Sequence, residues 1–135
     1  RGSPGTPPDP PGDPVILYRA PVEPRTEDLT DGGFQMIDRA HALHRAYRAA
    51  VRSAVEACPR VPVITPHGRE SWRMLSCDPK GVTLARDHHT VMHGYPIRFS
   101  RHTRRGIGPH GQGLVCGPVD GLIRRLTRER ACSRG

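Results

Sequence analysis

The segment that most constrains the fold is a stretch of helical spacing at residues 34–57. Apolar side chains recur there at intervals of three and four, at Met36, Ala40, Leu43, Tyr47, Ala50 or Val51, and Ala54. Pro59 follows directly, and proline ends helices because it lacks a backbone N–H and clashes with the preceding turn. The spacing predicts one long helix whose apolar stripe must be buried against another element.

The remaining elements are predicted to be short. Apolar residues that cluster or alternate predict strands near residues 15–18, 61–64, 82–85 and 95–99, with a hairpin turning near His93-Gly94. The sequence Asp78-Pro79-Lys80-Gly81 is typical of a type I turn. Residues 118–131 are predicted to form a closing helix, with arginines in its last turns that suit the negative end of the helix dipole.

Two further segments are interpreted from local residue types. Thr65-Pro66 is a favourable helix start, because threonine can cap and proline suits the first helical position. A short helix holding Trp72 and Leu75 is therefore expected. Residues 101–117 contain five glycines among arginines and histidines, and this composition predicts a basic, flexible loop.

These elements predict an α+β fold: a small single domain in which one long and one short helix pack on a small antiparallel sheet of three to five strands. Residues 1–14 hold six prolines and have no apolar face to bury, which predicts a disordered lead-in before a basic domain at residues 15–135. No apolar run approaches the roughly 18 residues that a bilayer span needs, so no membrane partner is expected.

The charge of the chain predicts an anionic partner. The formal net charge is +8, and Lys80 is the only lysine among 21 basic residues. Arginine binds phosphate through a planar, permanently charged fork, although a GC-rich genome would favour arginine codons equally well. A basic surface attracts polyanions whatever the origin of the arginines. The first functional prediction is therefore a module that binds nucleic acid or another polyanion.

Three groups of arginines are the predicted phosphate contacts. One lies on the long helix opposite its apolar stripe, the second near the glycine-rich segment, and the third on the closing helix. The predicted contact residues are Arg45, Arg48, Arg52, Arg98, Arg101, Arg104, Arg105, Arg124, Arg125 and Arg128. An ordinary solvated surface is the alternative interpretation.

The densest polar cluster is Asp87-His88-His89, followed by three more histidines. It resembles the small histidine-rich nucleases of the HNH type, in which one histidine is a general base and others hold a divalent metal. The resemblance implies a general base among His88, His89 and His102, and metal ligands among His88, His93 and His110. Outside this hypothesis no cofactor is predicted. In the alternative, these histidines are surface residues that add hydrogen bonds and partial charge.

The pair Tyr18-Arg19, followed some fifteen residues later by Gly33-Phe34, resembles the opening of mono-ADP-ribosyltransferase toxins. The resemblance covers about one-sixth of the chain and implies that Arg19 contacts the NAD phosphates. The family's catalytic glutamate has no counterpart, since no glutamate occurs between Glu70 and Glu129.

Four cysteines occur without any Cys-x-x-Cys pair, so a zinc ribbon is not predicted. The sequence leaves three main functional classes open. The first is a basic binding module, the second is a histidine-dependent nuclease or toxin-type effector, and the third is a structural subunit of a large nucleoprotein or viral assembly.

Overall fold

The computed structural model describes residues 14–25 and 34–134 and shows a mixed α+β fold, as predicted. Most of residues 1–14, the predicted lead-in, lie outside the described residues. In chain order the elements are β1 (Val15–Ile16), α1 (Phe34–Glu56), β2 (Arg60–Thr65), β3 (Gly68–Cys77), β4 (Gly81–Ala85), α2 (His88–Met92), β5 (Ile97–Ser100), β6 (Arg105–Ile107), β7 (Gly113–Cys116) and α3 (Asp120–Arg134). The long helix and the closing helix were both predicted from their apolar spacing.

The described residues form seven strands, more than the three to five expected. They make one antiparallel sheet in the order β5-β4-β3-β2-β7-β6, and β1 also pairs with β3. The two outermost strands, β5 and β6, follow each other in the chain and lie against each other. A Cβ built on Gly106 of β6 would come within 3.0 Å of the Phe99 ring of β5, so glycine permits this close approach. The sheet is therefore strongly curled, with its two edges in contact.

The apolar core fills the inside of the curled sheet. Phe99, Met74 and Leu84 are fully buried there, and Trp72 meets Phe99 edge to face with ring centroids 6.0 Å apart. The closing helix α3 covers one end of this core with Val119, just before its start, and Ile123. That end, called the base end here, also carries the β3–β4 and β5–β6 turns.

A second, smaller core lies on the outside of the sheet. Leu75, Cys58 and Ala85 are buried there with Val91 of α2 packed against them. Met74 faces the inner core and its neighbour Leu75 the outer one, as successive residues of a strand do. The pairing register of β3 shifts between Met74 and Ser76, so Cys77 faces the inner core again. On α1, Val51 of the predicted stripe is buried and Leu43 and Tyr47 are half-buried, and Val55, which was not assigned to the stripe, is buried as well.

Two predictions about local structure are wrong. Thr65 and Pro66 do not start a helix: Thr65 ends β2, its hydroxyl donates to the Gly68 carbonyl and accepts from the His67 amide, and a tight hairpin turn results. Trp72 and Leu75 therefore lie on β3. The predicted basic loop at residues 101–117 contains β6 and β7, which pair with each other, and β7 also pairs with β2.

Candidate functional site

The end of the curled sheet opposite α3, called the mouth end here, carries three connections. They are the β2–β3 turn, the α2 segment between β4 and β5, and the β6–β7 turn. Between them lies a cavity of about 570 Å³, here called the mouth cavity. Its volume is within the range of pockets that hold small organic ligands.

The short helix α2 is placed at this end by Asp87. The Asp87 carboxylate accepts hydrogen bonds from the Thr90 amide at 2.8 Å and from the Thr90 hydroxyl at 3.0 Å, which caps the start of α2. Partial burial raises the pKa of Asp87, but these hydrogen bonds and the nearby Arg86 outweigh burial and lower it overall. The Asp87-His88-His89 sequence is therefore a capped helix start, and it fixes where its histidines lie.

The four histidines of the mouth cavity come from three separate segments. His67 lies in the β2–β3 turn, His89 and His93 lie at α2, and His110 lies in the β6–β7 turn. The rings of His89 and His93 meet edge to face with centroids 4.2 Å apart. His89 of the predicted catalytic set and His93 and His110 of the predicted metal set thus line one cavity. His67, which was in neither set, lines it too.

Two predicted histidines lie elsewhere. His88 turns towards α1, where its Nε2 is 3.3 Å from an Arg52 guanidinium nitrogen. Arg52 can donate to that atom only when Nε2 carries no proton. His102 lies in the β5–β6 turn at the base end and is exposed. Among residues 14–25 and 34–134, no three or more His, Cys, Asp or Glu side chains are grouped so that they could hold a metal ion.

The floor of the mouth cavity consists of apolar and aromatic side chains that the sequence analysis did not assign to a site. Trp72, Ile97 and Leu114 contribute from three strands, and Tyr95 stands beside them with 60% of its surface exposed. Trp72 was missed because it was expected on a helix. The scarcity of aromatic residues, only six in the whole chain, is a signal that could have drawn attention to Trp72 and Tyr95.

One carboxylate lines the mouth cavity among the described residues, and its charge is compensated. The Trp72 indole N–H donates to Glu70 Oε1 at 3.0 Å, and the Arg86 Nε lies 3.4 Å from the same oxygen. Glu70 is therefore held by two donors from inside the fold. The Glu70 carboxylate would therefore repel an anionic ligand in the mouth cavity less than a carboxylate without donors would.

The predicted phosphate-binding arginines fall into two classes. Four of them already have a partner: Arg98 pairs with Asp78 at 2.8 Å, Arg101 with Asp120 at 3.0 Å, Arg125 with Glu129 at 3.8 Å, and Arg52 contacts His88. The other six are exposed and make no ion pair or side-chain hydrogen bond with the described residues: Arg45, Arg48, Arg104, Arg105, Arg124 and Arg128. These six can reach an external anion without breaking an internal contact.

The residues of the other resemblance, to ADP-ribosyltransferases, are only partly described. Arg19 is exposed and follows β1. Glu129 lies on α3, as the sequence predicted, and Gly33 is outside the described residues.

The cysteines add no reactive group inside the domain. Cys58, Cys77 and Cys116 are buried free thiols, and burial raises the pKa of each of them. A raised pKa keeps a thiol protonated and unreactive near neutral pH. Cys132 is exposed near the end of α3.

No protein-family model matches the chain. Searches of curated proteins and of solved structures also found no significant match. In the described part of the chain, each helix is either too short or too polar to cross a membrane.

Proposed function

We propose that this domain binds nucleic acid through phosphate contacts made by its exposed arginines. The supporting observation is an excess of uncompensated positive charge. The chain carries 21 basic residues against 13 acidic ones, a formal net charge of +8 at pH 7.

The acidic residues of the described part are largely occupied within the fold. Asp78, Asp120, Glu70 and Glu129 each contact an arginine, and Asp87 caps α2. The six exposed arginines are spread over α1, the β5–β6 turn with β6, and α3. A polymer with regularly spaced phosphates can contact several such residues at once, and each contact releases counterions.

The test is the salt dependence of binding to a DNA oligonucleotide. For about six phosphate contacts, affinity should fall at least about a hundredfold between roughly 50 and 200 mM salt. The double variant Arg104→Gln/Arg105→Gln should lower the magnitude of the slope of log K against log salt by between about one and two.

The matched control is Arg60→Gln/Arg69→Gln, which removes the same charge from two exposed arginines on β2 and β3 outside the predicted set. It should change the slope less than the first pair does. Equal losses for both pairs would show that net charge alone attracts the DNA, and the assignment of Arg104 and Arg105 would be wrong. Absent or salt-insensitive binding would overturn the proposed function itself.

A further inference from the structure

Three concave regions of the surface adjoin one another and form a single path across the mouth end. The mouth cavity shares His89 and His93 with a groove beside α1 that also contains Tyr47 and Arg48. It also shares Tyr95 with a groove along β5 and β6, here called the β5–β6 groove. The path therefore runs from α1, through the mouth cavity, to β6.

The side chains that line the path differ between its two ends and its centre. Arg48 lies at the α1 end, in a groove that Glu23 also lines. Arg105 lines the β5–β6 groove together with Arg98, which is paired with Asp78. The centre is instead lined by rings, with Trp72 and Tyr95 beside the four histidines. A surface with an arginine free of ion pairs towards each end and a ring-lined centre matches a chain that carries phosphates along its length and flat bases at intervals.

We infer that the path binds single-stranded nucleic acid, with Arg48 and Arg105 contacting phosphates and one base entering the mouth cavity beside Tyr95. This inference rests on the proposed function and adds the form of the nucleic acid and its route. A paired duplex keeps its bases stacked inside, so it cannot place one in the cavity without unpairing it. Stacking on aromatic rings needs no particular base, so the site is expected to tolerate different sequences.

The first experiment uses Trp72 as the reporter, because it is the only tryptophan in the chain and lines the mouth cavity. The unmodified protein is titrated at one ionic strength with three probes: a 15-nucleotide oligo(dT), an abasic strand of the same length, and a 15-base-pair duplex. Oligo(dT) should quench the Trp72 fluorescence and bind at least about fivefold more tightly than the abasic strand. The duplex should bind without quenching.

The second experiment removes the exposed ring. Tyr95→Ala should weaken binding of oligo(dT) by about five- to a hundredfold and leave binding of the abasic strand within about twofold. Tyr95→Phe retains the ring and should stay within about twofold of the wild type for both strands. Because Tyr95 is mostly exposed, both variants should remain folded.

The failures of the two proposals can be distinguished. Equal affinity for oligo(dT) and the abasic strand, without quenching, would overturn the inferred path but leave salt-sensitive phosphate binding in place. Quenching by the duplex equal to that by oligo(dT) would also overturn it. If none of the three probes binds in a salt-sensitive manner, the proposed function fails together with the inference.

Discussion

The base end and the mouth end of the curled sheet are both made of turns between neighbouring strands, but their polar side chains have different partners. At the base end, Asp78 accepts hydrogen bonds from Arg98 and from the Lys80 and Gly81 amides, and Arg101 donates to Asp120. At the mouth end, Tyr95 and the His67 and His110 side chains are exposed around a cavity.

The two ends should therefore contribute differently to the stability of the domain. At the base end the Asp78–Arg98 and Arg101–Asp120 pairs are made within the chain, and α3 adds apolar cover there. Such an end contributes to the free energy of unfolding. An exposed ring such as that of Tyr95 contributes little to that free energy, so its substitution should change stability little.

The largest expected effect compares two aromatic residues at or just before β5. Phe99→Ala removes a fully buried ring that packs against Trp72, and it should lower the free energy of unfolding by about 3–5 kcal/mol. Tyr95→Ala should lower it by no more than about 0.5 kcal/mol, because its ring is exposed. Urea denaturation of both variants measures the difference. Similar losses would show that the mouth end carries as much stability as the core.

A smaller effect is expected from two glycines that each begin a strand. A Cβ on Gly81, at the base end, would lie 2.7 Å from the Phe99 carbonyl oxygen, so the β4–β5 pairing must shift to accommodate it. Gly81→Ala should cost about 1–3 kcal/mol of stability. A Cβ on Gly113, at the mouth end, meets no atom within 4 Å among those described. Gly113→Ala is thus the control and should leave the thermal midpoint nearly unchanged. A Gly81→Ala protein as stable as the wild type would contradict the close packing of the base end.

The smallest effect is a pH dependence at the base end. The hydrogen bond from Arg98 holds the pKa of Asp78 well below its usual range, and the Lys80 and Gly81 amides act in the same direction. Because the folded-state pKa is lowered, the stabilisation is fully present above the unfolded value near 3.9 and is lost as the pH falls below it. Asp78→Asn keeps an acceptor for the two amides but removes the charge.

The wild type should therefore be more stable than Asp78→Asn at pH 5–8, by no more than about 1 kcal/mol because Arg98 is half exposed. This advantage should shrink below about pH 4, and denaturation curves of both proteins from pH 3 to pH 7 would reveal it. An advantage that persists unchanged at pH 3 would mean that the turn, and not its charge, provides the stabilisation.

The sequence determined those elements whose signal is local. The spacing of Leu43, Tyr47 and Val51 predicted α1, and the apolar positions around Ile123 predicted α3. Asp78 and Gly81 predicted the turn between β3 and β4. These elements depend on neighbours within four residues, so they can be predicted without knowing what packs against them. The excess of arginine follows from the composition alone.

Tertiary structure decided the remainder. Thr65-Pro66 suits a helix start as well as a turn, and the pairing of β3 with strands on both sides selected the turn. The glycines near Gly106 suggested a loop, but the absence of a side chain is what lets β6 approach Phe99. The mouth cavity joins His67, His89 and His110 across more than forty residues of sequence. No local pattern reports such proximity, because it arises only when the sheet curls and brings three connections to one end.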